Sequence, residues 1–259
     1  MGHMIRNFIN ALQFLTIVTV NKKHRIEEGD LAKSMVYFPV IGFLIGFVLV
    51  NVDKVFSLLV LPLPVGNIML VAISVLITRA LHIDGLADTL DGVMGGHSAD
   101  SRLAIMKDSR IGTAGVLGIF FVLLIKYLCL NSLFNSEKVA ALLIAPVLAR
   151  WSQTLMVFKA DYVREEGMGK AFVGHLRSSG LIAASTVAIG LTAFVIVREE
   201  ARTAILLVGL LCGVVLFTLL GRRYVQAKLG GMTGDAIGAV SEMNEALVFL
   251  IFVILSDGS

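Results

Sequence analysis

Residues 34–52 read Ser34-Met-Val-Tyr-Phe-Pro-Val-Ile-Gly-Phe-Leu-Ile-Gly-Phe-Val-Leu-Val-Asn-Val52, nineteen positions without a charge. As a helix this run is long enough to cross the hydrocarbon core of a bilayer, which takes about 20 apolar residues. Runs of the same character recur at 66–81, 111–133, 139–158, 180–197 and 203–220, and in a last segment ending near Leu255. The reading is an all-α, polytopic integral membrane protein with about seven transmembrane helices. Composition agrees: 57% of the 259 residues are hydrophobic and 16% charged, where a soluble domain carries about 25% charged residues. Gly42 and Gly46 have the spacing that lets membrane helices approach closely, and Pro39 is expected to kink the first span. The net charge of +3 is too small and scattered for nucleic acid. Cys129 and Cys212 sit inside apolar runs and read as free thiols.

Ahead of the first span, Ile5, Phe8, Ile9, Leu12 and Leu15 follow helical spacing, with Arg6, Asn7, Asn10 and Gln13 on the other side. An amphipathic helix over 5–20 lying on the membrane surface is expected. Met1-Gly2-His3-Met4 reads as a vector-derived start, and no cleavable signal follows it. There is no internal repeat, so 1–259 reads as a single membrane-embedded domain.

Basic residues set the expected orientation. With the N-terminus in the cytoplasm and seven alternating spans, the segments 1–33, 82–113, 159–179 and 221–236 hold fifteen Lys/Arg. The opposite side holds four: Lys54, Lys138, Arg198 and Arg202. Arg79, Lys126 and Arg150 fall in the spans, where a charge is costly unless it is paired or lines a wet cavity.

Two cytoplasmic segments carry the chemistry, 82–113 and 229–245. In the first, Asp84, Asp88 and Asp91 project within about 60° of one another on a helix. Like charges so stacked repel. A divalent cation held by carboxylate oxygens offsets this economically, and a solvated acidic face is the plainer alternative. His82 reads as a ligand, a proton carrier or a hydrogen-bonded structural residue; His97 and His175 are weaker candidates. In the second segment, Asp235 and Glu242 share a helical face, with Glu245 one turn beyond. Gly230, Gly231, Gly234 and Gly238 either make a tight turn that packs a helix or expose N–H groups to a phosphate. Lys107, Arg110, Arg177, Arg222 and Arg223 are available to clamp phosphate oxygens. For Arg222 and Arg223 the topological reading is the better one; Lys107 and Arg110 bracket Asp108 in a short polar segment.

Asp88-Thr-Leu-Asp91-Gly92 shares the Asp-x-x-Asp-Gly form of CDP-alcohol phosphotransferases, but the downstream half of that motif is missing. A lipid phosphotransferase is therefore the alternative reading. A divalent-cation transporter is a second, disfavoured because the aspartates lie at a helix end and no repeated halves are present.

Three stretches together resemble the cobalamin synthase family, the adenosylcobinamide-GDP ribazoletransferases. They are Leu81-His-Ile-Asp-Gly-Leu-Ala-Asp-Thr-Leu-Asp-Gly92, Ile105-Met-Lys-Asp-Ser-Arg-Ile-Gly-Thr113 with Gly115-Val116, and Gly230-Gly-Met-Thr-Gly-Asp-Ala-Ile-Gly-Ala239. The resemblance covers essentially the whole chain. One departure is Val18-Thr-Val-Asn21, where the family usually has an Arg and a Pro.

The resemblance implies an enzyme of the cytoplasmic (inner) membrane. Its substrates would be adenosylcobinamide-GDP and α-ribazole or its 5′-phosphate, its product a phosphodiester with release of GMP, and its cofactor Mg²⁺. On that basis Asp84, Asp88 and Asp91 are expected to hold metal over the diphosphate, with Asp108, Asp235 and Glu242 as further ligands. Lys107 and Arg110 would stabilise the transferring phosphate, and Gly231, Thr233, Gly234 and Asp235 would hold the substrate diphosphate. Partner copies or pathway enzymes at the membrane are also expected.

Overall fold

A computed structural model of the chain describes residues 2–20, 30–133, 135–197 and 203–255. Lys22, Lys23, Arg25, Arg198 and Arg202, counted above for orientation, lie outside the described residues. The described chain is helical, with an isolated bridge between Tyr162 and Met232. Its helices are α1 (Gly2–Leu15), α2 (Asp30–Ser34), α3 (Phe38–Leu58), α4 (Leu63–Ile77), α5 (Leu81–Gly95), α6 (Ala99–Ile105), α7 (Thr113–Ser132), α8 (Asn135–Val157), α9 (Ser178–Ile196), α10 (Thr203–Leu229) and α11 (Gly234–Leu255). Six helices are long and apolar enough to cross a membrane, and α4 with α5 makes a seventh candidate bent by 86°.

Two helices form the centre. In α8 and α11, 83% and 67% of the most apolar stretch is buried, against 17–28% in α7, α9 and α10, whose apolar sides face outward. Small residues explain the place of α8: Ala140, Ala141, Ala145 and Ala149 are buried along it. From the facing side, Gly42 and Gly46 bring α3 against the α8 backbone. A methyl group at Gly46 would lie 2.5 Å from the Leu142 carbonyl oxygen, and one at Gly42 would collide with that of Pro146. Close approach of this kind packs membrane helices where the hydrophobic effect does not drive them together.

Several boundaries differ from the sequence reading. Pro39 occupies the first turn of α3, where its missing N–H is no loss, so it starts the helix and does not kink it. The helix then continues past Val52 to Leu58, because Asp53 is neutralised by Lys138 of α8 at 2.6 Å. At the N-terminus α1 stops at Leu15, short of Val20. It buries Ala11 and Leu15, and the following residues are tied down by Ile17 N–H to Ile77 O at 2.8 Å.

The most consequential difference is at 78–80. The second span was expected to run to Leu81, but α4 ends at Ile77. Arg79 and Ala80 then adopt left-handed backbone conformations, φ 54° and 57°. Such residues cost of order 1 kcal/mol each without glycine. Here the Arg79 guanidinium donates to the Thr16 carbonyl at 2.9 Å, which helps hold the turn. The turn sends α5, with its aspartates, across the end of the bundle.

Candidate active site

Helix α5 is clasped by α7 on one side and α11 on another. A Cβ on Gly85 would lie 2.7 Å from the Asp235 carbonyl oxygen, so this glycine seats α5 directly on the first turn of α11. The three aspartates then differ in surroundings. Asp84 is exposed, and Asp88 and Asp91 are half-buried. The charges acting on Asp88 are those of Asp235, Asp84 and Asp91, opposed by Arg164.

Asp91 performs a structural task. Its two carboxylate oxygens accept the backbone N–H groups of Gly112 at 2.7 Å and Gly115 at 2.8 Å. These are donors at the start of α7 that no helical carbonyl satisfies, and a negative charge there is favourable. The spacing of Gly112 and Gly115 follows, because a Cβ at either would lie 2.5 Å from an Asp91 oxygen.

Asp235 enters from the other half of the chain. The loop after α8 is pinned to the glycine-rich turn by Met232 N–H to Asp161 O at 2.8 Å and Val163 N–H to Met232 O at 3.1 Å. That register brings Arg164 to 2.7 Å from Asp235. Thr233 accepts the Ala236 N–H through its hydroxyl and so caps α11, while Gly231 lies against the Asp161 carbonyl. Between α5, α11 and the loop lies a cavity of about 320 Å³ lined by His82, Gln153, Tyr162, Arg164, Gly234, Asp235 and Gly238, with Phe14 and Phe172 as apolar walls. The start of α11, an arginine and a tyrosine thus surround a space suited to an anion of phosphate size.

The comparisons with known proteins decide the family. The description "Cobalamin-5-phosphate synthase" fits residues 7–253. The chain belongs to the cobalamin-5-phosphate synthase family. Full-length relatives agree: the adenosylcobinamide-GDP ribazoletransferase of Geotalea daltonii is 40% identical over 96% of this chain and 98% of its own length. Those of Clostridioides difficile, at 34% over 97% and 98%, and Syntrophobacter fumaroxidans, at 36% over 95% and 97%, carry the same name. No solved structure matches the chain.

Within this synthase site, several residues singled out from the sequence stand apart. Asp108 is held by Arg110, which donates to it from Nε at 3.0 Å and Nη2 at 2.6 Å. The guanidinium keeps that carboxyl low, at about 2. Lys107 and Arg110 are exposed, and among the described residues no hydrogen bond or ion pair joins these three to the α5 aspartates. Arg222 donates to the carbonyls of Phe158 at 2.7 Å and Lys159 at 3.0 Å, closing the end of α8. His97 and His175 are exposed.

Glu242, expected as a further ligand, lies deeper than the α5 aspartates, and its carboxylate pairs with Lys126 inside the bundle. Lys126 also reaches Glu245 at 3.1 Å, and Arg150 pairs with Glu245 in turn. Two cations and two anions from α7, α8 and α11 therefore neutralise one another, all buried. This is why Lys126 and Arg150 are tolerated within spans.

Arg164, Tyr162 and Gln153 line the site although nothing in the sequence singled them out. Their signal was weak. Arg164 and Tyr162 lie in a polar loop counted only for its charge, and Gln153 is a lone amide in an apolar helix.

Proposed function

We propose that this chain is an adenosylcobinamide-GDP ribazoletransferase. It transfers the cobinamide phosphate of adenosylcobinamide-GDP to α-ribazole, or its 5′-phosphate, near the end of cobalamin biosynthesis. The ribazole hydroxyl oxygen forms a bond to the cobinamide-linked phosphorus, the bond from that phosphorus to the bridging oxygen breaks, and GMP leaves with the bond's electrons. The hydroxyl proton passes to solvent or a carboxylate. The observation that carries the reading is the juxtaposition of Asp88 and Asp235, from opposite halves of the chain, beside a cavity lined by Arg164 and the first turn of α11.

The carboxylates suit Mg²⁺ chemically. Their donors are hard oxygens, and Asp88 faces three other aspartates against one arginine. Among the described residues no three acidic, histidine or cysteine side chains form a closed cage. Mg²⁺ commonly uses one or two carboxylates and completes its shell with water and substrate phosphate. Asp84, Asp88 and Asp235 are the residues that would hold it, and when bound it supplies charge neutralisation for the diphosphate and departing GMP. Arg164 and the N–H groups at the start of α11 orient phosphate oxygens. Asp91 fixes the start of α7 and thereby the position of α5.

Purified protein in lipid nanodiscs, given adenosylcobinamide-GDP and α-ribazole, is expected to release GMP. Chelation of divalent cations should stop release and added Mg²⁺ restore it. Turnover of a CDP-diacylglycerol donor in place of the corrinoid would instead support a lipid phosphotransferase, and metal flux into proteoliposomes without corrinoid a transporter.

A further inference from the structure

The protonation of His82 follows from the hydrogen bonds behind it. The Gln153 amide nitrogen lies 2.9 Å from His82 Nε2 and 2.9 Å from Ser241 Oγ. Its orientation is fixed from the far end of this chain of contacts. Ser241 Oγ is 2.9 Å from the carbonyl oxygen of Ala149, which can only accept, so the serine hydrogen points there. Ser241 is left with lone pairs for Gln153, and the amide must present N–H to it. The second hydrogen of the same NH₂ group then points at His82 Nε2. An imidazole that accepts at Nε2 carries its proton on Nδ1. That Nδ1 is buried and has no partner in the protein, on a residue only 3% exposed. Buried donors are rarely left unmade, and His82 lines the cavity with Arg164, Tyr162 and the start of α11.

We propose that His82 is a substrate-binding residue whose neutral ring donates its Nδ1–H to a phosphate oxygen of the nucleoside diphosphate group. The proposal rests on the ribazoletransferase reading for the identity of that group. Nδ1 already holds a proton, and the Nε2 lone pair is engaged by Gln153.

Two near-isosteric substitutions separate the ring nitrogens. His82→Asn keeps an amide where Nδ1 stands, and His82→Gln keeps one where Nε2 stands. In nanodiscs, His82→Asn is expected to retain GMP release within about tenfold of the parent. His82→Gln is expected to lose about 10- to 100-fold in kcat/KM, the range for one hydrogen bond to a charged oxygen. Equal losses in the two variants, or a parent-like His82→Gln, would overturn the proposal.

A second measurement needs no His82 variant. In ¹⁵N-histidine-labelled full chain with the other four histidines replaced, the nitrogen spectrum should report the Nδ1–H tautomer. GMP should shift its Nδ1 signal, and inorganic phosphate should shift it less. An Nε2–H tautomer, or no response to GMP, would refute the assignment. The tautomer is read without substrate, while the ribazoletransferase reading stands or falls on GMP release by the parent chain, so the two failures are distinct.

Discussion

Asp88 and Asp91 lie three residues apart on one helix and do different work. Asp91 gives both oxygens to the N–H groups of Gly112 and Gly115, whereas Asp88 is surrounded by other carboxylates. The two asparagine variants should therefore separate. Asp91→Asn loses the charge and one acceptor at the start of α7, at a cost of about 1–2 kcal/mol, and should lower the unfolding temperature as well as activity. Asp88→Asn relieves like-charge repulsion. It should leave unfolding unchanged or raise it, while GMP release falls on the order of 100-fold or more, as for loss of an electrostatic catalytic group. Unfolding of the two purified variants alongside a GMP assay checks this, and a stable, fully active Asp88→Asn would remove Asp88 from the site. The grouping of the α5 aspartates was legible because their spacing lies within one helix. Arg164 was not, since its place depends on the register of Asp161–Val163 against Met232, some 70 residues away. The pairing of Glu242 was not legible either, because its partner, Lys126, is on a different helix, and helical spacing says nothing about what stands opposite.

At the scale of elements, the spans were legible from hydropathy, while the turn between α4 and α5 was not. Thr78-Arg79-Ala80 contains neither glycine nor proline, and its left-handed backbone is held in part by Arg79 reaching Thr16 and Ile17 reaching Ile77. Both contacts are long-range in sequence. What then sets α5 on α11 is Gly85. A methyl group there would meet the Asp235 backbone at 2.7 and 2.9 Å, and backbone cannot yield as a side chain does. Gly85→Ala should cost about 1–3 kcal/mol, as overpacking does, and depress GMP release beyond the loss of folded protein, because it separates Asp88 from Asp235. Activity per folded molecule at the parent level would show that the seating does not matter.

The charged cluster in the bundle makes a second prediction at this scale. Lys126→Met strands Glu242 and weakens the neutralisation of Glu245, so it should destabilise by about 3–5 kcal/mol. Lys126→Met combined with Glu242→Met leaves the Arg150–Glu245 pair balanced. The double variant should recover most of that loss, as apolar replacements of buried pairs often do. A double-mutant cycle on unfolding in mixed micelles measures the coupling, and additive losses would mean that the two side chains do not act as a pair.

Over the whole molecule, the site belongs to one end of the bundle. Arg102 of α6 donates to the Lys228 carbonyl at the end of α10, and Tyr162 bridges to Met232 beside the start of α11. The segments 82–113, 159–179 and 221–236 thus meet there, while Asp53 and Lys138 pair near the end of α3 and the start of α8, on the other side of the crossings. The basic residues follow the same division: those three segments with 1–33 hold fifteen Lys/Arg against four opposite. Short loops rich in Lys and Arg stay in the cytoplasm, so the site end should be cytoplasmic, where a nucleotide-linked substrate is available. Exposed Ser109 and Ser57 mark the two ends. In a background with Cys129 and Cys212 replaced, Ser109→Cys should react with an impermeant maleimide in inside-out vesicles and be protected in right-side-out ones. Ser57→Cys should show the reverse. If Ser109→Cys reacted from outside instead, the charge asymmetry would reflect only the phosphates bound at that end, and GMP would have to be released away from the cytoplasm.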